Sequence, residues 1–247
     1  MDPITLLIVC PLVFLAMLVD AIAGGGGLIS LTAYLVAGLP PHVALGTNKV
    51  SSAIGTVVAT ARFAKSGLIK IKLAIPAVIF ALAGSAIGAK AALHTPDGVI
   101  QMIMVFALPV VAFFVLRKRA LDVPADATIS TKKQIAIIAI SSFFIGMYDG
   151  FYGPGTLAFT AAAKLPVREA NGEAKCANLA SNVAALVTFA ANGAVWWGLG
   201  LVASVFAIAG SYVGSGLVMK NGAKVVRPIM LVVLALLFVK VLYDLVF

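Results

Sequence analysis

Apolar residues run along this chain in blocks that are too long and too continuous to be the buried stripe of soluble helices. The runs 4 to 19, 73 to 93, 98 to 116, 134 to 148, 199 to 219 and 225 to 246 carry few charges. Each is close to the ~20 residues that a helix rising ~1.5 Å per residue needs to cross ~30 Å of hydrocarbon. Polar residues interrupt the pattern in turns and in two further stretches, around 47 to 56 and around 173 to 182. The pattern predicts an all-α polytopic membrane protein.

The pattern also repeats. Gly46, Lys49, Phe63, Gly67, Gly84, Ser85 and Gly88 recur 126 residues later as Gly172, Lys175, Phe189, Gly193, Gly210, Ser211 and Gly214. Upstream the spacing is 129, with Asp20, Gly24, Gly26 and Leu28 matching Asp149, Gly153, Gly155 and Leu157. A register held this long is duplication, the usual plan of secondary transporters. Residues 1 to 118 form the first membrane repeat, 119 to 131 a linker and 132 to 247 the second repeat, together one integral membrane domain.

Composition and charge then set the orientation. With 62% hydrophobic and 11% charged residues and a mean hydropathy of +1.11, the chain cannot cover itself with a charged aqueous surface. Its net charge of +9 sits in short loops beside apolar spans, which points to membrane topology and not to nucleic acid. Arg117, Lys118, Arg119, Lys132 and Lys133 flank the linker and place it in the cytoplasm. Lys65, Lys70 and Lys72 share that side, whereas the turn from His94 to Gly98 has no Lys or Arg. In the second half the bias reverses: Trp196 and Gly198 replace Lys70 and Lys72, and the loop matching the uncharged turn carries Lys220, Lys224 and Arg227. Opposite bias in matching loops predicts inverted repeats of five segments each, with both termini outside. Four full spans per half, parallel repeats and re-entrant glycine segments are the alternative.

Candidate chemistry lies where the apolar runs break. Gly24, Gly25, Gly26 and Gly27 follow the first span, and Gly153-Pro154-Gly155 takes the same place in the second half. Glycine costs about 1 kcal/mol per helical residue relative to alanine and proline about 3, so each helix ends there. A short segment follows, whose first N–H groups can face an anion. Asp20 and Asp149 precede the breaks, and Lys49 and Lys175 sit on the long segments beyond them. Each charge at membrane depth costs at least about 2.5 kcal/mol on insertion scales, so such residues usually mark a pathway or an ion pair. Lys49, Ser52 and Thr56 share one helix face, as do Lys175, Asn178 and Asn182. A small anion near the midplane would be held by Gly24, Gly25, Gly26, Gly27, Asn48, Lys49 and Ser52 from one half, and by Gly153, Gly155, Thr156, Lys175, Asn178 and Asn182 from the other. Asp20, Asp149 or Glu173 would carry a coupling proton. A structural reading stays open: Asp20 as a cap of the following turn, the lysines snorkelling to an interface, the amides as glue between helices.

Arg62, Lys65, Lys90 and Lys240 read as snorkelling end residues. His42 and His94 have no partner at ligand spacing, so no metal site is expected, and no nucleotide or serine-hydrolase motif is present. No cofactor is expected. Cys10 and Cys176 read as buried small residues, with a thiol chemistry at Cys176 beside Lys175 as the enzymatic alternative.

The runs Asp20-Ala-Ile-Ala-Gly-Gly-Gly-Gly-Leu28, Gly38-Leu-Pro-Pro-His-Val-Ala-Leu-Gly-Thr-Asn-Lys49 and Tyr148-Asp-Gly-Phe-Tyr-Gly-Pro-Gly-Thr156 resemble the repeat motifs of the sulfite exporter TauE/SafE family, in the branch with a Gly-Thr-Asn-Lys motif. That resemblance implies a multi-pass carrier of the prokaryotic plasma membrane. Its implied cargo is sulfite, sulfonates and related sulfur oxyanions, with proton coupling. The expected partners are the bilayer and a small anion, and a homodimer is an open alternative. A passive anion channel, a carrier of carboxylates or cations, and a sulfur-transfer protein using Cys176 are the competing functions.

Overall fold

The computed structural model describes residues 2–100, 129–149 and 163–221, with Lys224 and Pro228. Seven helices are named within them: α1 (Pro3–Ala23), α2 (Gly26–Val36), α3 (Pro41–Lys65), α4 (Ile71–Leu93), α5 (Thr131–Asp149), α6 (Val167–Ala191) and α7 (Trp197–Asn221). No strand occurs among the described residues. α1, α4 and α7 are each long and apolar enough to cross a bilayer. Their outward positions, such as Ile75, Ile79 and Ile87 on α4 and Leu201, Val205 and Ile208 on α7, are exposed apolar side chains, as a lipid-facing surface requires.

Local sequence explains the helix ends. α3 and α6 both start behind a proline, Pro40 and Pro166, with nearly identical extended dihedrals (φ −56°, ψ 144° and φ −55°, ψ 143°). Proline suits this position because its fixed φ matches the extended entry, and in α3 Pro41 also fills the first helical position, where its missing N–H is not needed. Both helices also stop alike. Gly67 and Gly193 take positive φ, 68° and 70°, and the N–H of Leu68 and of Ala194 reaches back to the carbonyls of Phe63 and Phe189 at 3.1 and 3.0 Å. This is a left-handed glycine stop that satisfies the last carbonyls.

The glycine break after α1 divides its labour. Gly24 and Gly25 hold φ of 78° and 86°, and Gly26 lies so close to the carbonyl of Ala16 and to Asp20 that no Cβ would fit. α2 then packs on α1 and α3 in one apolar cluster with Val13, Met17, Leu31, Tyr34 and Leu45. At 11 residues it is about 16 Å long and cannot cross the hydrocarbon alone. It is the short helix that the four glycines lead one to expect.

The same contacts recur at the 126- and 129-residue spacings. Gly210 and Gly214 of α7 abut the carbonyls of Phe14 and Leu18 on α1, while Gly84 and Gly88 of α4 abut those of Phe143 and Met147 on α5. The Trp196 N–H donates to Thr47 Oγ1 at 2.9 Å, and the Lys70 N–H donates to Glu173 Oε1 at 2.6 Å. Helix directions follow from how these contacts advance. α1, α3 and α7 run one way, because Phe14 and Leu18 meet Gly210 and Gly214, and Gly46 and Val50 meet Ala194 and Gly200. α4, α5 and α6 run the other way: Gly84 and Gly88 meet Phe143 and Met147, and Lys70 and Ser85 meet Glu173 and Ser181. Lys49 reaches Asn182 while Thr60 reaches Lys175, so α3 and α6 are antiparallel.

Two expectations need correction. Arg62 does not snorkel: its guanidinium lies 3.9 Å from the Tyr212 ring centroid and donates to Tyr212 O and Ser215 Oγ, clamping α3 to α7. His42 does have a carboxylate partner, since Asp97 comes within 2.7 Å of Nδ1 while Nε2 faces the carbonyls of Ala92 and Thr95 at 3.1 Å. Asp97 is distant in sequence and reaches His42 only because the end of α4 folds onto the start of α3. No group of three or more His, Cys, Asp or Glu side chains placed to hold a metal occurs among the described residues.

Candidate functional site

α3 and α6 carry most of the buried polar residues among those described. Small residues at Ala44, Gly46, Ala53, Gly55 and Ala59, and at Ala170, Gly172, Ala174, Ala177 and Ala180, are buried along these helices. They let neighbouring backbones approach closely enough for long polar side chains to meet. Thr47, Asn48, Lys49, Ser51, Ser52 and Thr56 of α3 are buried, as are Asn171, Glu173, Lys175, Ser181 and Asn182 of α6.

The four expected charges meet as two crossed ion pairs. Lys175 Nζ donates to Asp20 Oδ2 at 2.6 Å, with side chains 2% and 10% exposed. Lys49 Nζ stands 3.6 Å from Asp149 Oδ2 and donates to the Asp149 carbonyl at 2.5 Å and to Asn182 Oδ1 at 2.9 Å. The aspartate of each half therefore neutralises the lysine of the other. Asp20 caps nothing with its side chain: Gly24 N–H bonds the Asp20 backbone carbonyl at 3.0 Å, and the carboxylate turns to α6. Neither lysine snorkels. Both ammonium groups stay inside, because a paired buried charge costs far less than an unpaired one.

Amides and hydroxyls complete the cluster. Asn178 Nδ2 donates to Asp20 Oδ2 at 3.2 Å, Asn182 Nδ2 donates to Asn178 Oδ1 at 2.9 Å, and Ser181 Oγ donates to Asp149 Oδ2 at 2.5 Å. Asn182 also reaches Thr56 Oγ1 at 3.4 Å. Of the expected anion ligands, Lys49, Lys175, Asn178 and Asn182 converge here. Asn48 and Ser52 are buried beside one another, with the Ser52 hydroxyl on Asn48 Oδ1 at 3.4 Å. Gly24, Gly25, Gly26 and Gly27 form the turn immediately after Asp20 and the first residues of α2. Gly153, Gly155 and Thr156 lie outside the described residues. Glu173 is turned to the start of α4, accepting from Lys70 N–H, in the position that Thr47 occupies toward Trp196. Cys176 is buried and unbridged, and the ammonium next to it in sequence is directed at Asp20.

Reading residues one at a time missed the crossed pairing, and the signal was nevertheless available. If Asp20 matches Asp149 and Lys49 matches Lys175, helices that run in opposite directions can bring the unlike members of the two pairs together. Ser181 as the partner of Asp149, and Tyr34 as the partner of Ser51 at 3.0 Å, had no such signal.

At one end of the bundle Arg62, Lys70, Arg168 and Lys220 gather where α3 and α7 finish and α4 and α6 begin, tied by Lys70 to Glu169 at 2.6 Å and by Arg168 to the Lys220 carbonyl at 3.2 Å. The opposite end carries His42, Asp97 and Trp196.

Comparison with known proteins places the chain in a family. The family described as sulfite exporter TauE/SafE matches residues 9–241. A probable membrane transporter protein, ORF9, of a Sinorhizobium species is 35% identical over 94% of this chain and 90% of its own. Probable membrane transporter proteins of Haemophilus influenzae and Escherichia coli K12, the latter named YfcA, are 30% and 32% identical over 94% of this chain, covering 92% and 89% of theirs. No solved structure matches. A multi-pass helical chain whose interior charges are paired between its two halves, matched to that family from end to end, belongs to the sulfite exporter TauE/SafE family of membrane transporters.

Proposed function

We propose that this protein is a secondary active carrier of small anions, most simply sulfur oxyanions or organosulfonates such as sulfite, working by alternating access between two inverted repeats in a prokaryotic plasma membrane. The single observation that carries the reading is the crossed pairing of Lys49 with Asp149 and Lys175 with Asp20 beside the glycine break. Two lysines and two aspartates sum to zero, so an anion added to this cluster leaves a net negative charge at membrane depth. Protonating one aspartate per anionic charge restores neutrality and frees a lysine for the anion at the same time. Anion and proton then travel together, which is coupling built from charge balance alone.

The inverted arrangement is supported by the antiparallel α3 and α6 and by the opposite loop charges. The end bearing Arg62, Lys70, Arg168 and Lys220 faces the cytoplasm by the positive-inside rule. Single cysteines introduced at Lys72 and Lys224 should react with an impermeant maleimide from the same, cytoplasmic, side; reaction from opposite sides would remove the inverted topology.

The function is tested by flux of radiolabelled sulfite, sulfate, thiosulfate and a small sulfonate into proteoliposomes under an imposed pH gradient. Wild type should show saturable, gradient-dependent flux of at least one, lost to background in Lys49→Ala and in Lys175→Ala. Flux indifferent to both lysines would place the site elsewhere, and flux that never saturates would identify a channel.

A further inference from the structure

Two amides link the ion pairs, and their orientation is forced. A lysine ammonium can only donate a hydrogen bond and an ionised carboxylate can only accept one. Lys49 Nζ donates to Asn182 Oδ1 at 2.9 Å, Asn182 Nδ2 donates to Asn178 Oδ1 at 2.9 Å, and Asn178 Nδ2 donates to Asp20 Oδ2 at 3.2 Å. Each amide is therefore held in one sense by the charge at its end of the chain, and reversing either one breaks a bond at both of its ends. Amide orientation is ordinarily ambiguous; here the two terminal groups remove the ambiguity. The corresponding positions of the first repeat are Ser52 and Thr56, which have no amide and cannot form the same chain. Among the described residues the connection is carried by Asn178 and Asn182 of the second repeat.

We propose that Asn178 and Asn182 are a polarised relay that makes the two ion pairs open together, and that their role in transport is coupling between the pairs. While Asp20 is ionised, Asn178 must point its NH₂ group at Asp20, and Asn182 must offer its oxygen to Lys49. Once Asp20 takes a proton, the bond that Asn178 donates to it is no longer charge-assisted, and the polarisation that the chain passes through Asn178 to the Asn182 oxygen facing Lys49 falls. The bond that helps to seat Lys49 is weakened, so opening of the Asp20–Lys175 pair loosens the Lys49–Asp149 pair. Hydrogen-bonded chains strengthen one another in low dielectric, and this gives the coupling its physical basis. Among the described residues, these groups face each carboxylate. Asp20 on α1 faces Lys175 of α6; Asp149 on α5 faces Lys49 of α3 and Ser181 of α6, and feels the charges of Asp20 and Lys175. The inference rests on the carrier reading only in assigning the freed lysines to an anion.

The test therefore reads the relay without any cargo. In protein purified into nanodiscs, the carboxylate infrared band of Asp149 is assigned by its loss in Asp149→Asn. Asp20→Asn, which removes the terminal charge, should shift that band. The same substitution should shift the band clearly less when Asn182→Leu or Asn178→Leu has already cut the chain, leaving only the direct effect of the Asp20 charge. Either leucine variant suffices, so a folding failure of one leaves the other to decide. A shift undiminished in the cut variants means that the pairs sense each other only directly through space, and no shift in the uncut protein means that they are independent; both overturn the relay. In the flux assay the dependence on proton concentration should fall from steeper than first order in wild type to first order in the cut variants. Loss of flux in the lysine variants together with an unmoved band would retain the carrier and reject the relay. A moved band with flux indifferent to the lysines would do the reverse.

Discussion

Replacing Asp20 with alanine should destabilise the protein more than any other single change in the charged cluster, by about 3–5 kcal/mol, because it strands Lys175 as an unpaired buried cation. Among the described residues Asp20 is the acceptor that Lys175 Nζ reaches, at 2.6 Å, and the lysine side chain is only 2% exposed. Asp149→Ala should cost less, since Lys49 keeps the residue 149 carbonyl at 2.5 Å and Asn182 Oδ1 at 2.9 Å. The pair Asp20→Leu with Lys175→Met, which removes both charges and roughly conserves volume, should regain most of the loss, as replacing a whole buried ion pair often does. Thermal unfolding of detergent-solubilised variants gives the order: wild type close to the double variant, then Asp149→Ala, then Asp20→Ala. A double variant no better than Asp20→Ala would mean that the pair is not what stabilises this region. Stability and flux should part company here, because the double variant keeps no unpaired buried charge yet lacks one lysine proposed to hold the anion and one aspartate proposed to take the proton.

The second large effect is steric. Gly84→Val and Gly210→Val should each abolish folding or membrane accumulation, because a Cβ at either glycine would lie inside the contact distance of a backbone carbonyl, Phe143 O or Phe14 O. Backbone cannot rotate away as a side chain can, so the helices must separate. Overpacking a close-packed site costs about 1–3 kcal/mol where side chains can yield, and more is expected where the obstacle is main chain. Gly27→Ala is the control. It sits in α2 with nothing within 4 Å of the added methyl, and the better helix propensity of alanine should make it neutral or stabilising by up to about 1 kcal/mol. Expression and size-exclusion profiles of the fluorescently tagged variants check both statements. Equal behaviour of Gly27→Ala and Gly84→Val would show that close helix approach is not what Gly84 provides.

The two glycines also mark how far sequence reading reached. Gly84 and Gly88 with Gly210 and Gly214 are legible as helix-crossing positions because glycines four positions apart line one helix face. Which helix they admit is not legible. α4 takes α5, across the repeat boundary, and α7 takes α1 in the same way. Likewise Glu173 reads as a titratable group near Lys175, whereas its bond to the Lys70 N–H depends on where α4 begins in space. Arg62 reads as an end residue, and only the nearness of α7 turns it into a clamp.

What the sequence determined by itself is everything governed by spacing along one chain. Hydropathy over ~20-residue windows set the solvent and marked the spans now seen as α1, α4 and α7. Four consecutive glycines ended α1, prolines opened α3 and α6, and i, i+3 and i+7 placed Lys175, Asn178 and Asn182 on one face. The duplication told which residues are equivalents. Partner choice was left to the tertiary structure, because an ion pair such as Lys175 with Asp20, separated by 155 positions, has no local signature. It exists because small residues on α3 and α6 let the bundle close around them, and because an unpaired charge at that depth costs more than the ordering of both side chains. The same closure threaded Asn178 and Asn182 between the two pairs, which no pattern of residue types along the chain could announce.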